Sequence, residues 1–112
     1  MSLNLTIYRS RKCVRTLTIT ESDGSQSVIE AGDTVLARIG RGRAVVLTVR
    51  SDQATNAGST LTAANPSTLT LMAADVDMPA GIYDLDLLVK DSSEGDAEKA
   101  VERGVLTVLE AQ

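Results

Sequence analysis

The sequence contains no histidine, tryptophan or phenylalanine, and its only aromatic residues are Tyr8 and Tyr83. Without histidine, the chain cannot form a Ser-His or Cys-His catalytic pair or an imidazole metal site. Two rings are too few for the aromatic platforms on which single-stranded nucleic acids stack. These absences favour a binding or structural module over an enzyme, and we expect no catalytic residues and no cofactor.

Cysteine and long apolar runs are also scarce. Cys13 is the one cysteine, so an intramolecular disulfide is not possible, and we interpret it as a small apolar residue in a strand. No apolar run approaches the roughly 20 residues of a membrane-spanning helix. Residues 1–6 alternate between apolar and polar, which is not typical of a signal peptide. We therefore expect a soluble protein, made in the cytoplasm, that does not contact membranes.

The length of 112 residues is that of one domain, and we predict a single domain over residues 1–112. The net charge of −4 is unevenly distributed. Residues 1–50 hold eight bases and four acids, whereas residues 51–112 hold three bases and eleven acids. The overall acidity argues against nucleic acid as a partner. The asymmetry has two interpretations, namely attraction between copies or to a fixed neighbour, and solvated strand faces.

Alternation of apolar and polar residues is the dominant pattern and predicts β-strands. The predicted strands cover residues 3–8, 13–20, 34–39, 44–50, 68–71, 82–90 and 101–109, with a short extended piece at 28–29. The β-branched run at 44–50 predicts a well-buried strand, and Gly104 interrupts the last strand. Turns or loops are predicted at 21–25, 40–43, 51–60, 73–81 and 91–97, with a helical turn as an alternative at 73–81. A weak helix pattern at 96–103 fits a strand equally. We predict an all-β fold, a single antiparallel immunoglobulin-like β-sandwich of about seven to nine strands.

Three arginines flank the glycines of a predicted hairpin: Arg38, Arg41 and Arg43. The segment lacks the Gly-Lys-Ser/Thr ending and the following helix of a phosphate loop. We interpret it either as a basic hairpin tip that docks on an acidic partner surface or as a plain exposed turn.

Acidic residues are frequent in the second half, at Asp75, Asp77, Asp84, Asp86, Asp91, Glu94 and Asp96. Sandwich loops can supply oxygen ligands to calcium, but residues 91–96 lack the acid spacing of a helix–loop–helix calcium site. Paired carboxylates for glycoside hydrolysis would need a substrate groove, normally lined with aromatic rings that hold the sugar, and two tyrosines are too few to line such a groove. We therefore expect solvated strand faces and no metal site.

A corner is predicted before the strongest strand, at Pro79, Gly81 and Tyr83. A tyrosine at this place in a sandwich commonly packs its ring in the core and donates its hydroxyl hydrogen to a loop backbone. We predict that structural role and no ligand contact.

The stretch 71–87, with its Asp loop leading into Pro-Ala-Gly-Ile-Tyr-Asp, resembles a pattern of small tailed-phage virion proteins. Those proteins have an immunoglobulin-like sandwich akin to the N-terminal domain of phage baseplate upper proteins. The acidic-Gly turn at 18–24 and the closing Gly-Val-Leu-Thr-Val at 104–108 are similar too, so the likeness covers roughly residues 16–109. Residues 27–32 replace the usual Leu-Thr-Gly motif, and the last hairpin loop is longer.

The resemblance implies a non-enzymatic structural or docking role in the virion, in the tail or baseplate. The implied partners are other virion proteins and further copies in a homo-oligomer or multi-copy assembly. A capsid decoration protein and a carbohydrate- or cell-surface-binding module are the alternatives. The scarcity of rings favours the structural role over sugar binding.

Overall fold

The computed structural model describes residues 3–20, 24–26, 28–30, 32–91 and 97–110. These residues form eight strands and no helix, so the prediction of an all-β chain with seven to nine strands is confirmed. The strands are β1 (Leu3–Tyr8), β2 (Cys13–Leu17), β3 (Thr34–Arg41), β4 (Ala44–Arg50), β5 (Thr60–Leu61), β6 (Ser67–Leu71), β7 (Gly81–Asp91) and β8 (Ala97–Leu109). Accordingly, the described residues include no helix that is long and apolar enough to cross a membrane.

The strands form two sheets, with orders β1-β8-β7-β3-β4 and β2-β6-β5. Most pairs are antiparallel, but β1 lies parallel to β8, with Leu3 beside Gly104 and Tyr8 beside Leu109. The prediction of a purely antiparallel arrangement was therefore wrong for this pair. Parallel neighbours need a long connection between them, and here the rest of the chain separates the first strand from the last.

Side chains from both sheets meet in one buried core, which the period-two pattern predicted. The buried residues include Ile7 of β1, Leu17 of β2, Ala37 of β3 and Leu85 of β7. The odd-numbered residues of β7 from Tyr83 to Val89 all face this core, as predicted. Because alternation places every second residue on one face, the five-stranded sheet has a core face and an opposite face, here called the outer face.

The second strand is shorter than predicted, because an asparagine side chain replaces its ladder partner. β2 ends at Leu17, although Ile19 is buried as expected. The Asn65 amide accepts a hydrogen bond from the Ile19 backbone N–H at 3.0 Å and donates one to the Ile19 carbonyl at 2.8 Å. The backbone of Ile19 is thus satisfied without continuing the strand.

β4 differs most from its prediction. The run 44–50 predicts a well-buried strand, yet Ala44, Val45 and Val46 are exposed and Val49 alone is buried. The reason is position, because β4 lies at the edge of its sheet and has a neighbour on one side, β3. β-Branched residues favour both central and edge strands, so their presence does not show that a strand is buried.

The last strand begins earlier than predicted and is not interrupted at Gly104. β8 runs from Ala97 to Leu109 and pairs with β7 along its length, with one extra residue opposite the Leu87–Leu88 step. The short strand β5 (Thr60–Leu61), at the end of a predicted loop, was missed. The segment at 73–81 is turn and loop, with no helix.

The turn between β1 and β2 is held to the loop before β7 by charge. Arg9 contacts the carboxylates of Asp77 and Glu110, each at 3.1 Å, and the Ser10 hydroxyl donates a hydrogen bond to Asp77 at 2.8 Å. The hydrogen bond from Ser10 and the guanidinium of Arg9 lower the pKa of Asp77. The carboxylate therefore favours the folded state while it is ionised.

We expect acid to destabilise this turn in a defined direction. A carboxyl whose pKa is lower in the folded state contributes stability above its unfolded pKa and loses it as the pH falls through the folded pKa. Below about pH 4, the wild type should therefore lose more free energy of unfolding than an Asp77→Asn variant. Urea unfolding between about pH 5 and pH 2.5 measures this loss. Equal losses in the two proteins would contradict the prediction.

Candidate functional site

The outer face of the five-stranded sheet carries large apolar side chains at one end. Tyr8 and Leu109 are direct neighbours across β1 and β8, and both are exposed. Ile82, which is 66% exposed, projects from β7 one row further along, opposite Thr107. Val45 and Val46 of β4 are exposed in the following row. These residues, Tyr8, Ile82, Leu109, Val45 and Val46, are called the apolar patch.

A β-bulge places both valines on the outer face. Ile39 pairs with Leu47, whereas Gly40 pairs with Val45, so Val46 is an extra residue in β4. Leu47 packs towards the core, and Val45 and Val46 both lie on the other side. A Cβ at Gly40 would lie 2.8 Å from the carbonyl oxygen of Ala44, which is closer than real Cβ contacts allow. Glycine at this position therefore permits the bulge and leaves the patch without a side chain between Ile82 and the valines.

Charged side chains of both signs lie on the outer face next to the patch. Asp84 shares a row with Gly40, and the next row contains Arg103, Asp86 and Arg38, in strand order. The Arg103 guanidinium lies 3.8 Å from the Asp86 carboxylate. Asp84 is exposed, and Asp86 and Arg38 are partly exposed. This neighbouring area contains two acids and two bases, so it is locally neutral although the chain carries −4.

The structure separates the three arginines of the predicted docking hairpin. Arg41 and Arg43 lie at the tight turn between β3 and β4, which has Gly42 at φ 63°. Arg38 lies inside β3, on the outer face, opposite Asp86. Arg41 has the parity of the core-facing residues of β3, and its guanidinium lies 5.2 Å from the centre of the Tyr83 ring. Arg43 is exposed at this turn, and its docking role stays a prediction.

The predicted corner residues lie together at the start of β7. The Tyr83 hydroxyl donates a hydrogen bond to the Pro79 carbonyl at 2.5 Å, and its ring is buried in the core. Gly81 has φ 152°, and a Cβ there would lie 2.9 Å from a guanidinium nitrogen of Arg41. The glycine thus leaves room for Arg41 to cover the ring, which places both groups in packing roles.

The acidic residues do not converge on a common point within the described part of the chain. No group of three or more potential metal ligands occurs among the described residues. Asp75 accepts hydrogen bonds from Thr55 and Ser59, Asp77 contacts Arg9, and Asp84 and Asp86 lie on the outer face. The side chain of Asp91, and Glu94 and Asp96, lie outside the described residues.

A partly buried polar network joins two loops that the sequence predicted separately. The Asp75 carboxylate accepts hydrogen bonds from the hydroxyls of Thr55 and Ser59, and Ser59 is fully buried. The Ser59 hydroxyl also accepts a hydrogen bond from the Met72 backbone N–H at 2.9 Å. Sequence reasoning missed this link because hydroxyl and carboxyl residues are ordinary in loops, and no local spacing relates residues 55–59 to residue 75.

The described residues thus present two candidate features. One is the apolar patch with its charged neighbours, and the other is the pair of hydroxyls, of Thr55 and Ser59, that donate hydrogen bonds to the Asp75 carboxylate. A serine nucleophile needs an accessible hydroxyl and a base, whereas Ser59 is buried. Comparison with models of protein families found no match, and neither did comparison with curated proteins.

Proposed function

We propose that this chain is a non-enzymatic structural protein of a phage virion, a small docking module of the tail or baseplate. The single observation that carries the docking role is the apolar patch on the outer face. Several large apolar side chains exposed on one face beside charged ones are typical of a protein interaction site. The assignment to a virion rests on the sequence resemblance at residues 71–87 and 104–108.

An immunoglobulin-like sandwich is part of this proposal. The first support is the strand order of the two sheets. β2-β6-β5 form one sheet and β8-β7-β3-β4 belong to the other, in which β1 lies beside the last strand. This is the order in which an immunoglobulin-like sandwich distributes its strands. The second support is Tyr83, near the start of β7, whose hydroxyl bonds the backbone four residues upstream. A tyrosine corner occupies the same place in that fold.

Docking through the patch is tested with a matched pair of variants. Val45, in the patch, is 57% exposed, and Val14, on the outward side of β2 in the other sheet, is 52% exposed. Both are valines in edge strands, so Val45→Glu and Val14→Glu alter folding stability to a similar extent. Their difference in binding therefore reports the face that docks.

The measurement is binding of the purified chain to particles assembled without it. We expect saturable binding of the wild type and of Val14→Glu, and at least about tenfold weaker binding of Val45→Glu. Burying a valine in the interface is favourable and burying an unpaired glutamate is costly, and the difference in free energy exceeds the roughly 1.4 kcal/mol that corresponds to tenfold in affinity. Microscopy of decorated particles should place the chain on the tail or baseplate. Absence of wild-type binding, equal binding of the two variants, or decoration of the capsid would overturn the corresponding part of the proposal.

A further inference from the structure

We infer that this chain exchanges its first strand with a second copy, so that β1 of each copy lies beside β8 of the other. The partner then contributes the strand that completes the five-stranded sheet. Three observations carry the inference: the place of β1 at the sheet edge, the side chains that β1 inserts into the core, and the backbone of the turn that follows it. The exchange goes beyond the proposed docking function and does not depend on docking through the apolar patch.

β1 is a strand that leaves the other seven strands paired when it moves away. Its one ladder is with β8, so its removal keeps the orders β8-β7-β3-β4 and β2-β6-β5. Ile7 of β1 is fully buried, and Leu3 and Leu5 pack against the core. A copy that has lost β1 therefore has exposed core side chains and an unpaired edge of β8. The same strand from a second copy restores this packing, and it also restores the hydrogen bond from Arg15 to the Thr6 carbonyl.

The turn that joins β1 to β2 has a strained backbone. Residues 9–12 form this turn, and Ser10 has φ 59°. Among the residues that the structure describes, it is the one residue other than glycine with a positive φ. A residue with a Cβ atom pays to adopt this left-handed conformation. In an exchanged dimer the turn opens and the strain is relieved, and short strained hinges of this kind favour exchange of an element between copies.

Other contacts of the same turn hold the closed form. Arg9 contacts the carboxylates of Asp77 and Glu110, and the Ser10 hydroxyl donates a hydrogen bond to Asp77. The Ser10 backbone N–H donates one to the Val76 carbonyl at 3.1 Å. The charged groups are exposed, so each ion pair contributes little. Because these contacts oppose the relief of strain, we expect the closed monomer and the exchanged dimer to be in equilibrium, with the dimer favoured at high concentration.

The first measurement compares three substitutions of Ser10 that all remove its hydroxyl. Glycine adopts a positive φ freely, alanine pays for it, and proline is fixed near a φ of about −65°. Association constants for the dimer, from sedimentation equilibrium, should therefore rise from Ser10→Gly through Ser10→Ala to Ser10→Pro. We expect at least about tenfold between Ser10→Gly and Ser10→Ala, because each dimer opens two strained turns.

Three results of this measurement would overturn the inference. They are a wild-type monomer at all concentrations, equal association constants for Ser10→Ala and Ser10→Gly, and a folded Ser10→Pro variant that is monomeric. Each sample is refolded from urea at its final concentration, so that slow release of β1 does not limit the exchange. If Ser10→Pro does not fold, the comparison of alanine with glycine decides.

The second measurement shows on which copy β1 lies. Thr6 and Thr107 are direct neighbours across β1 and β8. In a Cys13→Ser background, one chain carries both Thr6→Cys and Thr107→Cys, and a short bis-maleimide links the two thiols, since adjacent strands lie about 4.8 Å apart. We expect links between two chains in the dimer fraction and links within one chain in the monomer fraction. Links within one chain in the dimer fraction would show that β1 stays on its own copy and overturn the inference.

Strand exchange and docking through the patch fail in different ways. Val45 lies on β4, at the opposite edge of the sheet from β1. Val45→Glu should therefore form the exchanged dimer with the affinity of the wild type, although we expect it to bind particles weakly. Loss of the dimer in Val45→Glu would overturn strand exchange. A wild-type monomer that binds particles would exclude exchange and leave the docking function standing.

Discussion

A Gly104→Ala variant should lose about 3 kcal/mol of unfolding free energy, at the upper end of the cost of overpacking. Gly104 lies on β8 directly beside Leu3 of the parallel strand β1. A Cβ at Gly104 would lie 1.4 Å from the Leu3 carbonyl oxygen and 2.8 Å from its Cα. These are backbone atoms that no rotamer change can move, so β1 must separate from β8 near Leu3. Separation also exposes apolar side chains of β1 that pack on the core, Leu3 and Leu5.

The sign of this effect makes the prediction specific. At a position with room for a methyl group, replacing glycine by alanine commonly stabilises a protein by about 0.4–1 kcal/mol through the unfolded state. Urea unfolding of Gly104→Ala should instead show a large loss of unfolding free energy. The backbone amide hydrogens of β1 should exchange with solvent faster than those of β2. Thr107→Ala, in the same strand and half-buried, is the control and should lose less than about 1 kcal/mol. Unchanged stability of Gly104→Ala would mean that β1 does not approach β8 as described.

An Asp75→Ala variant should lose about 2–3 kcal/mol, because hydrogen bonds to a charged group contribute about 1.5–3 kcal/mol and are not additive. The Asp75 carboxylate binds the hydroxyls of both Thr55 and Ser59. Its removal leaves the hydroxyl hydrogen of the fully buried Ser59 without its acceptor. We therefore expect the loop around residues 55–59 to separate from the loop around residue 75.

Thermal and urea unfolding measure the loss, and nearby substitutions show its origin. Asp77→Ala removes an exposed carboxylate two residues away and should have a much smaller effect. A combined Ser59→Ala and Asp75→Ala variant should lose less than the sum of the two single losses, because both remove the same hydrogen bond. Additive losses, or equal losses for Asp75→Ala and Asp77→Ala, would contradict a shared network.

The local sequence pattern was sufficient to predict strands that have one apolar and one polar face. Residues 82–90 alternate between apolar and polar, and Tyr83, Leu85, Leu87 and Val89 do face the core. Residues 44–50 are apolar on both faces, so their pattern does not distinguish a central strand from an edge strand, and the prediction of burial there was wrong. Alternation states which residues share a face, and the number of neighbouring strands is a property of the whole sheet.

The candidate docking surface was only partly predictable. The sequence drew attention to Arg38, Arg41 and Arg43 because basic residues flank glycines there, but β3 places Arg38 and Arg41 on opposite sides of the sheet. The apolar patch had no signal of its own. Tyr8 and Leu109 are 101 positions apart, and they become neighbours because β1 enters the sheet beside β8. An exposed apolar residue in a strand gains meaning only when others lie beside it.

The sequence by itself determined an all-β chain, most of its strands and most of its buried residues, because alternation and turn residues are local properties. The absence of histidine excluded imidazole chemistry by composition alone. Tertiary structure decided the parallel entry of β1, the exposure of β4, the link from Asp75 to Ser59 and the assembly of the patch. Each of these depends on contacts between residues distant in the chain, and such contacts form because packing of the two sheets compensates the entropy of closing the long loops between them.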